Sequence, residues 1–168
     1  MPVCPGCGLR VGNPEVPATA RYNASAQCLA LFHTLSGIHF DEADPAFIHQ
    51  VAVDCYGAQH AGGPARPITA VFSLVGLCLH LEHGFTGKQV QAAHAAMARG
   101  QKNWPVLLAP SVRYPVTVDS VVQCETASAR TVQLKVWAQA TWDAWRSEQM
   151  WVRSIIRLHR LAAAGQSP

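Results

Sequence analysis

Cys4-Pro5-Gly6-Cys7-Gly8 constrains this chain more than any other segment. Two cysteines separated by Pro-Gly, with a glycine behind, form a metal knuckle. The Pro-Gly turn brings both sulfurs to one point, and the glycines allow backbone conformations in which amides donate to thiolates. A CxxC pair supplies only half of a tetrahedral zinc site. Two further ligands must therefore come from elsewhere in the chain, and the fold has to deliver them.

A chain of 168 residues, 49% hydrophobic and 14% charged, can bury a real core and reads as a single zinc-containing helical domain over 1–168. It divides into a metal-binding tail (1–22), a helical core (23–163) and a short disordered tail (164–168). The net charge of +3 is too mild to argue for nucleic acid or an anionic membrane. Met1 leads straight into the knuckle without an apolar signal region, and the apolar run Ile68 to Leu81 is too short to span a bilayer. The expectation is a soluble, cytoplasmic protein with no membrane partner, whose six cysteines are thiols or metal ligands rather than disulfides.

Along the chain, Gly12-Asn13-Pro14 and Pro17 mark an irregular tether. A helix is expected from Asn23 or Ser25 to about Gly37. A second should open between Asp41 and Pro45 and stop near Gly57. The third, apolar on most faces, should run from Pro67 to His83, and a fourth from Thr86 to about Met97. Gly100 to Val116 reads as an extended connection pinned by Trp104, Leu107 and Leu108, followed by a brief helix at Thr117–Val121. From Ala129 to Ala163 no Pro or Gly interrupts, which predicts one long helix with Trp137, Trp142, Trp145 and Val152 inward. The fold class is all-α: an irregular bundle of five or six helices with a zinc-stapled N-terminal tail.

Cys28 is the best third ligand. With Ser25 as N-cap it falls in the first helical turn, where free amides and the helix dipole favour a thiolate. His33 is a poor fourth, because five residues along a helix leave it about 140° round from Cys28. His60, at the end of the second helix beside Gly62-Gly63, is better placed, and His49 is the fallback. Asp54 is an alternative ligand, a group that orients the histidine from behind, or equally a cap for the loop amides around Gly62-Gly63.

The knuckle, Cys28 ahead of an apolar helix and the segment Val53-Asp54-Cys55-Tyr56-Gly57-Ala58-Gln59-His60-Ala61-Gly62-Gly63-Pro64 together resemble a bacterial family, domain of unknown function 5946. Leu77-Cys78-Leu79, Leu81-Glu82, Trp104-Pro105, Thr117-Val118 and the Trp-rich last helix extend the resemblance over most of the chain. It implies a helical domain and no activity. Against the family's pattern, His80 and His83 replace apolar or basic neighbours.

Those two histidines are about 60° apart on a helix, so both rings can face one point. They are candidates for a second metal, for which Asp54 or His49 would supply a third ligand. The plainer reading is that Thr69, Ser73, Gly76, His80 and His83 are the wet or close-packed stripe of an apolar rod. Arg146, Arg153, Arg157 and Arg160 follow helical spacing and read first as a solvated face. No nucleophile motif and no phosphate loop is present. Three functions compete. The first is a zinc-binding domain, its zinc structural, acting through a protein partner or small ligand, with homo-oligomers allowed. The second is a metal-dependent, hydrolase-like enzyme with a site near His60 and His80. The third is a nucleic-acid-binding module. Four protein ligands mean a closed structural site; three plus water mean catalysis.

Overall fold

A computed structural model describes residues 1–164 of the chain. Among them, eight α-helices and one 3-10 turn form the architecture, so the fold is all-α. The remaining structure at the N-terminus is an isolated antiparallel bridge between Val3 and Arg10.

The first helix, α1 (Ala26–Asp41), starts where Ser25 accepts a hydrogen bond from the Cys28 amide. It runs through Gly37, where the expected stop does not occur. Helix α2 (His49–Gln59) begins later than its sequence suggests. The Asp44 carboxylate accepts from the amides of Ile48 and His49, at 2.7 and 3.1 Å, and Phe47 adopts a left-handed backbone just before them. Those contacts hold residues 42–48 out of the helix. Gly57 lies inside α2 rather than at its end, because Ser73 and Thr69 of the next helix pack where a Cβ would stand.

Helix α3 (Pro67–His83) is the central rod: Pro67 opens it and Gly84, in left-handed backbone, closes it. Its middle, from Ala70 to Leu79, is buried apart from Phe72, and α2, α4, α6 and α7 all lie against it. Helix α4 (Gly87–Gly100) is set by a full capping box between Thr86 and Gln89. A long connection then leads to α5 (Val118–Val122). Trp104 anchors this connection between Phe72 and His159, whereas Leu108 is 82% exposed and pins nothing.

The expected single last helix is three. Helix α6 (Ala127–Ala144) ends at Trp145, a 3-10 turn covers Arg146–Glu148, and α7 (Gln149–Leu158) and α8 (Leu161–Ala164) follow. Trp145 is fully buried at the break, and the Trp142 carbonyl accepts both from the Trp145 amide at 3.1 Å and from the Gln149 side chain at 3.0 Å. Burying a large ring and satisfying that carbonyl replaces the continuous helical ladder. Arg160, at φ 52°, ends α7 in a left-handed turn. Trp137, Trp142, Trp145 and Val152 are all buried. Ala164 is still helical, and the rest of the expected disordered tail lies outside the described residues. No helix among the described residues is long and apolar enough to cross a membrane.

Candidate metal centre

The knuckle is a tight loop before it is a ligand set. The Cys4 amide donates to the Leu9 carbonyl at 2.7 Å, and the Gly8 amide to the Cys4 carbonyl at 2.9 Å. This folds residues 3–10 back on themselves and turns both sulfurs inward, where Cys4 and Cys7 are 1% and 0% exposed. The loop presses directly on the ends of two other segments. A Cβ on Gly6 would stand 2.5 Å from the Asn23 carbonyl oxygen, 2.6 Å from the His60 ring and 2.8 Å from the Gln59 carbonyl oxygen. Only glycine fits there, for reasons of space.

Cys28 enters from the first turn of α1 and His60 from the residue that ends α2. The Cys28 sulfur is 3.7 Å from that of Cys7 and 3.4 Å from His60 Nε2. One donor atom from each of Cys4, Cys7, Cys28 and His60 lies within 4.8 Å of all the others, and all four residues are buried. Together they can hold a metal ion. The surroundings fix each donor. The Ser25 amide points at the Cys4 sulfur, at 3.4 Å. His60 Nδ1 is 2.8 Å from the Tyr56 carbonyl oxygen, which makes it the N–H and leaves Nε2 with its lone pair toward the sulfurs. Tyr56 also stacks between the rings of His60 and Phe32, with centroids 4.0 and 4.1 Å away.

Three sulfurs this close cannot all ionise alone. Hydrogen bonds from Cys28 and Cys7 hold the Cys4 thiol far below its ordinary range. The same crowding works against the other two: Cys28 is driven up by Cys4, Cys7 and burial. At Cys7 the contact with Cys28 lowers the value, but Cys4 and burial outweigh it and push it up to about 12. A dication at the centre removes the conflict, because it favours all three thiolates at once.

The other candidate residues stand apart from this group. His33 is exposed on α1. His49 is buried against His39, their Nδ1 atoms 3.0 Å apart, and not against a sulfur. Asp54 does not support the His60 ring, whose free nitrogen the helix's own Tyr56 carbonyl already occupies. Its carboxylate instead accepts from Gln50 at 3.0 Å and lies where a side chain on Gly76 would be, and its pKa is raised by burial. His80 Nδ1 meets the Phe85 carbonyl at 3.0 Å. His83 falls in a second possible ligand group with Cys78 and Glu82. Both Glu82 oxygens there are already used: Arg153 binds them at 2.6 and 2.9 Å, and Trp142 Nε1 donates at 3.2 Å.

Tyr56 is the functional residue that reasoning from ligand types misses, since it acts through its carbonyl and its ring face. Its signal was positional, four residues before His60 and so on the same face of α2.

Fold and centre together define a class: a small all-helical domain whose N-terminal loop is clasped to two helix ends by a buried Cys3His group. The model of the family of unknown function DUF5946 matches residues 2–146, and the chain belongs to that family. No curated protein and no solved structure matches the chain.

Proposed function

We propose that the protein is a zinc-stapled binding domain, in which Cys4, Cys7, Cys28 and His60 hold a structural Zn²⁺ and the helical body engages a protein partner or small ligand. The carrying observation is the spacing of the donors. A tetrahedron with Zn–S of about 2.3 Å and Zn–N of about 2.0–2.1 Å has S···S edges of about 3.8 Å and S···N edges of about 3.6 Å. The Cys7–Cys28 and Cys28–His60 separations of 3.7 and 3.4 Å match these edges. Three thiolates select a borderline-soft ion, and four buried protein ligands leave no open position for a reacting water. Zinc there would supply charge and geometry, while Ser25 and Tyr56 hold the ligands in place. All six cysteines are unpaired, which suits a reducing, cytoplasmic setting.

Zinc K-edge absorption on the purified chain tests this reading, with about one zinc per chain and a shell of three sulfurs and one nitrogen expected. Two or fewer sulfurs, or a metal with a water in its shell, would overturn the structural reading. His60→Ala should weaken zinc binding far more than His33→Ala.

A further inference from the structure

We propose that the cleft between the C-terminal end of α3 and the helices α7 and α8 binds a small organic anion, its oxyanion head on Arg157 and Arg160 and its apolar body on Ile156, Ala162 and Ala163. The cleft has a volume of about 450 Å³. That falls within the range of small-molecule sites, roughly 300–1,000 Å³. It lies outside the metal centre and shares no residue with it.

The charge of the cleft is unbalanced. Three guanidiniums, of Arg153, Arg157 and Arg160, line it against the one carboxylate of Glu82, with His83 at its edge. Arg153 is already committed: it grips Glu82 through two nitrogens and lies 5.8 Å from the Trp142 ring centre. Arg157 and Arg160 have no acidic partner among the described residues. Two guanidiniums that line one cleft repel unless an anion sits between them. A carboxylate or phosphate accepts from two guanidiniums at once, which makes it the ligand this pair is shaped to take.

The backbone holds that pair in place. Arg160 adopts φ 52°, a left-handed conformation that a non-glycine residue occupies only where its surroundings enforce it. The enforcing contacts flank it: Ile156 is 2% exposed and Leu161 1%. Their burial turns α8 back, so that Ala162 and Ala163 wall the cleft. Small apolar walls beside a cationic rim select a ligand that is anionic at one end and apolar at the other.

The test is isothermal titration of the zinc-loaded full chain with hexyl phosphate and hexanoate, compared with inorganic phosphate and hexanol. At least one of the two amphiphilic anions should bind roughly tenfold or more tighter than either half-ligand, and the tighter of the two names the head group. Arg157→Ala/Arg160→Ala should weaken that binding by at least about tenfold, as should Ala163→Trp, while Arg146→Ala, outside the cleft, leaves it unchanged. The proposal falls if neither anion binds the parent, if the double variant binds as well, or if inorganic phosphate binds as tightly as hexyl phosphate. It rests on the reading of the chain as a binding domain, so zinc content and unfolding temperature are measured on every sample. Lost anion binding with zinc intact in the parent sinks the cleft alone; anion binding without zinc sinks the metal assignment alone.

Discussion

The two ends of the molecule solve opposite problems with polar groups. At the N-terminal end, four donors converge at full burial, with the Ser25 amide behind Cys4, the Tyr56 hydroxyl on Cys28, and the Tyr56 carbonyl and the Gly6 backbone against His60. At the C-terminal end, Arg157 and Arg160 stand exposed with no ion-pair partner among the described residues, Arg160 on a turn whose backbone is strained. Closure at one end suits an ion that never leaves. Unspent charge at the other suits a ligand that comes and goes. The contrast separates stability from binding, and it can be broken by mutation.

The largest effect belongs to the closed end. Cys4→Ser/Cys7→Ser should release the metal and lower the unfolding temperature by about 10 °C or more, since structural zinc contributes several kcal/mol. Arg157→Ala/Arg160→Ala should shift that temperature hardly at all; equal shifts from the two pairs, read by calorimetry, would erase the comparison. Next in size is Trp145→Ala, at the break between α6 and α7. Its ring is 0% exposed, and truncation should cost about 3–5 kcal/mol by denaturant titration. A loss under about 1 kcal/mol would mean that the break is not held by that ring.

Gly6→Ala sharpens the picture at the centre itself. The new methyl would meet two carbonyl oxygens and the His60 ring, so zinc affinity should fall at least about tenfold in competition with a chelator. Gly37→Ala is the control. Nothing lies within 4 Å of its Cβ position in α1, so stability should rise by about 0.5–1 kcal/mol. The smallest effect is expected at Glu82→Gln, whose ion pair with Arg153 is half-exposed; it should cost under about 1 kcal/mol.

Acid adds a test through two histidines that belong to neither site. Burial lowers His49 to about 4, with His39 lowering it further and Asp44 opposing. Burial likewise lowers His94 to about 4, against the hydrogen bond to the Phe72 carbonyl. The unfolded chain binds these protons first, near pH 6.5. Stability should therefore be whole above about pH 6.5 and fall as the pH drops toward 4. His94→Phe, followed by denaturant titration at several pH values, should flatten part of that slope; an unchanged slope would remove His94 from the account.

Local chemistry was legible in the sequence, and competition between distant contacts was not. Pro67, Gly84 and the Thr86–Gln89 box act on their nearest neighbours, so α3 and the start of α4 could be read directly. Ser25 and Cys28 likewise sit three residues apart, and the first turn of α1 follows from them. Glycine misled twice: Gly37 and Gly57 look like stops, yet one stands in open space within α1 and the other accommodates Ser73. The break at Trp145 carries no Pro or Gly; it falls where that ring is fully buried. Asp54 is the local exception: Gln50, four residues before it, takes its carboxylate, and Tyr56, four residues before His60, takes the nitrogen that Asp54 is expected to hold.

The four donors lie between residues 4 and 60, whereas the partners of α1 and α2 come later: α5 packs on α1, and α3 and α6 on α2. During synthesis, which proceeds at about 5–20 residues per second, the first two helices emerge with only each other to pack against. Isolated helices of 16 and 11 residues are marginal in water. An ion captured at that stage would tie the start of one helix to the end of the other and shorten the wait for their partners. The donor set thus needs only residues 4–60, and it is complete before the helices that cover most of α1 and α2 are made.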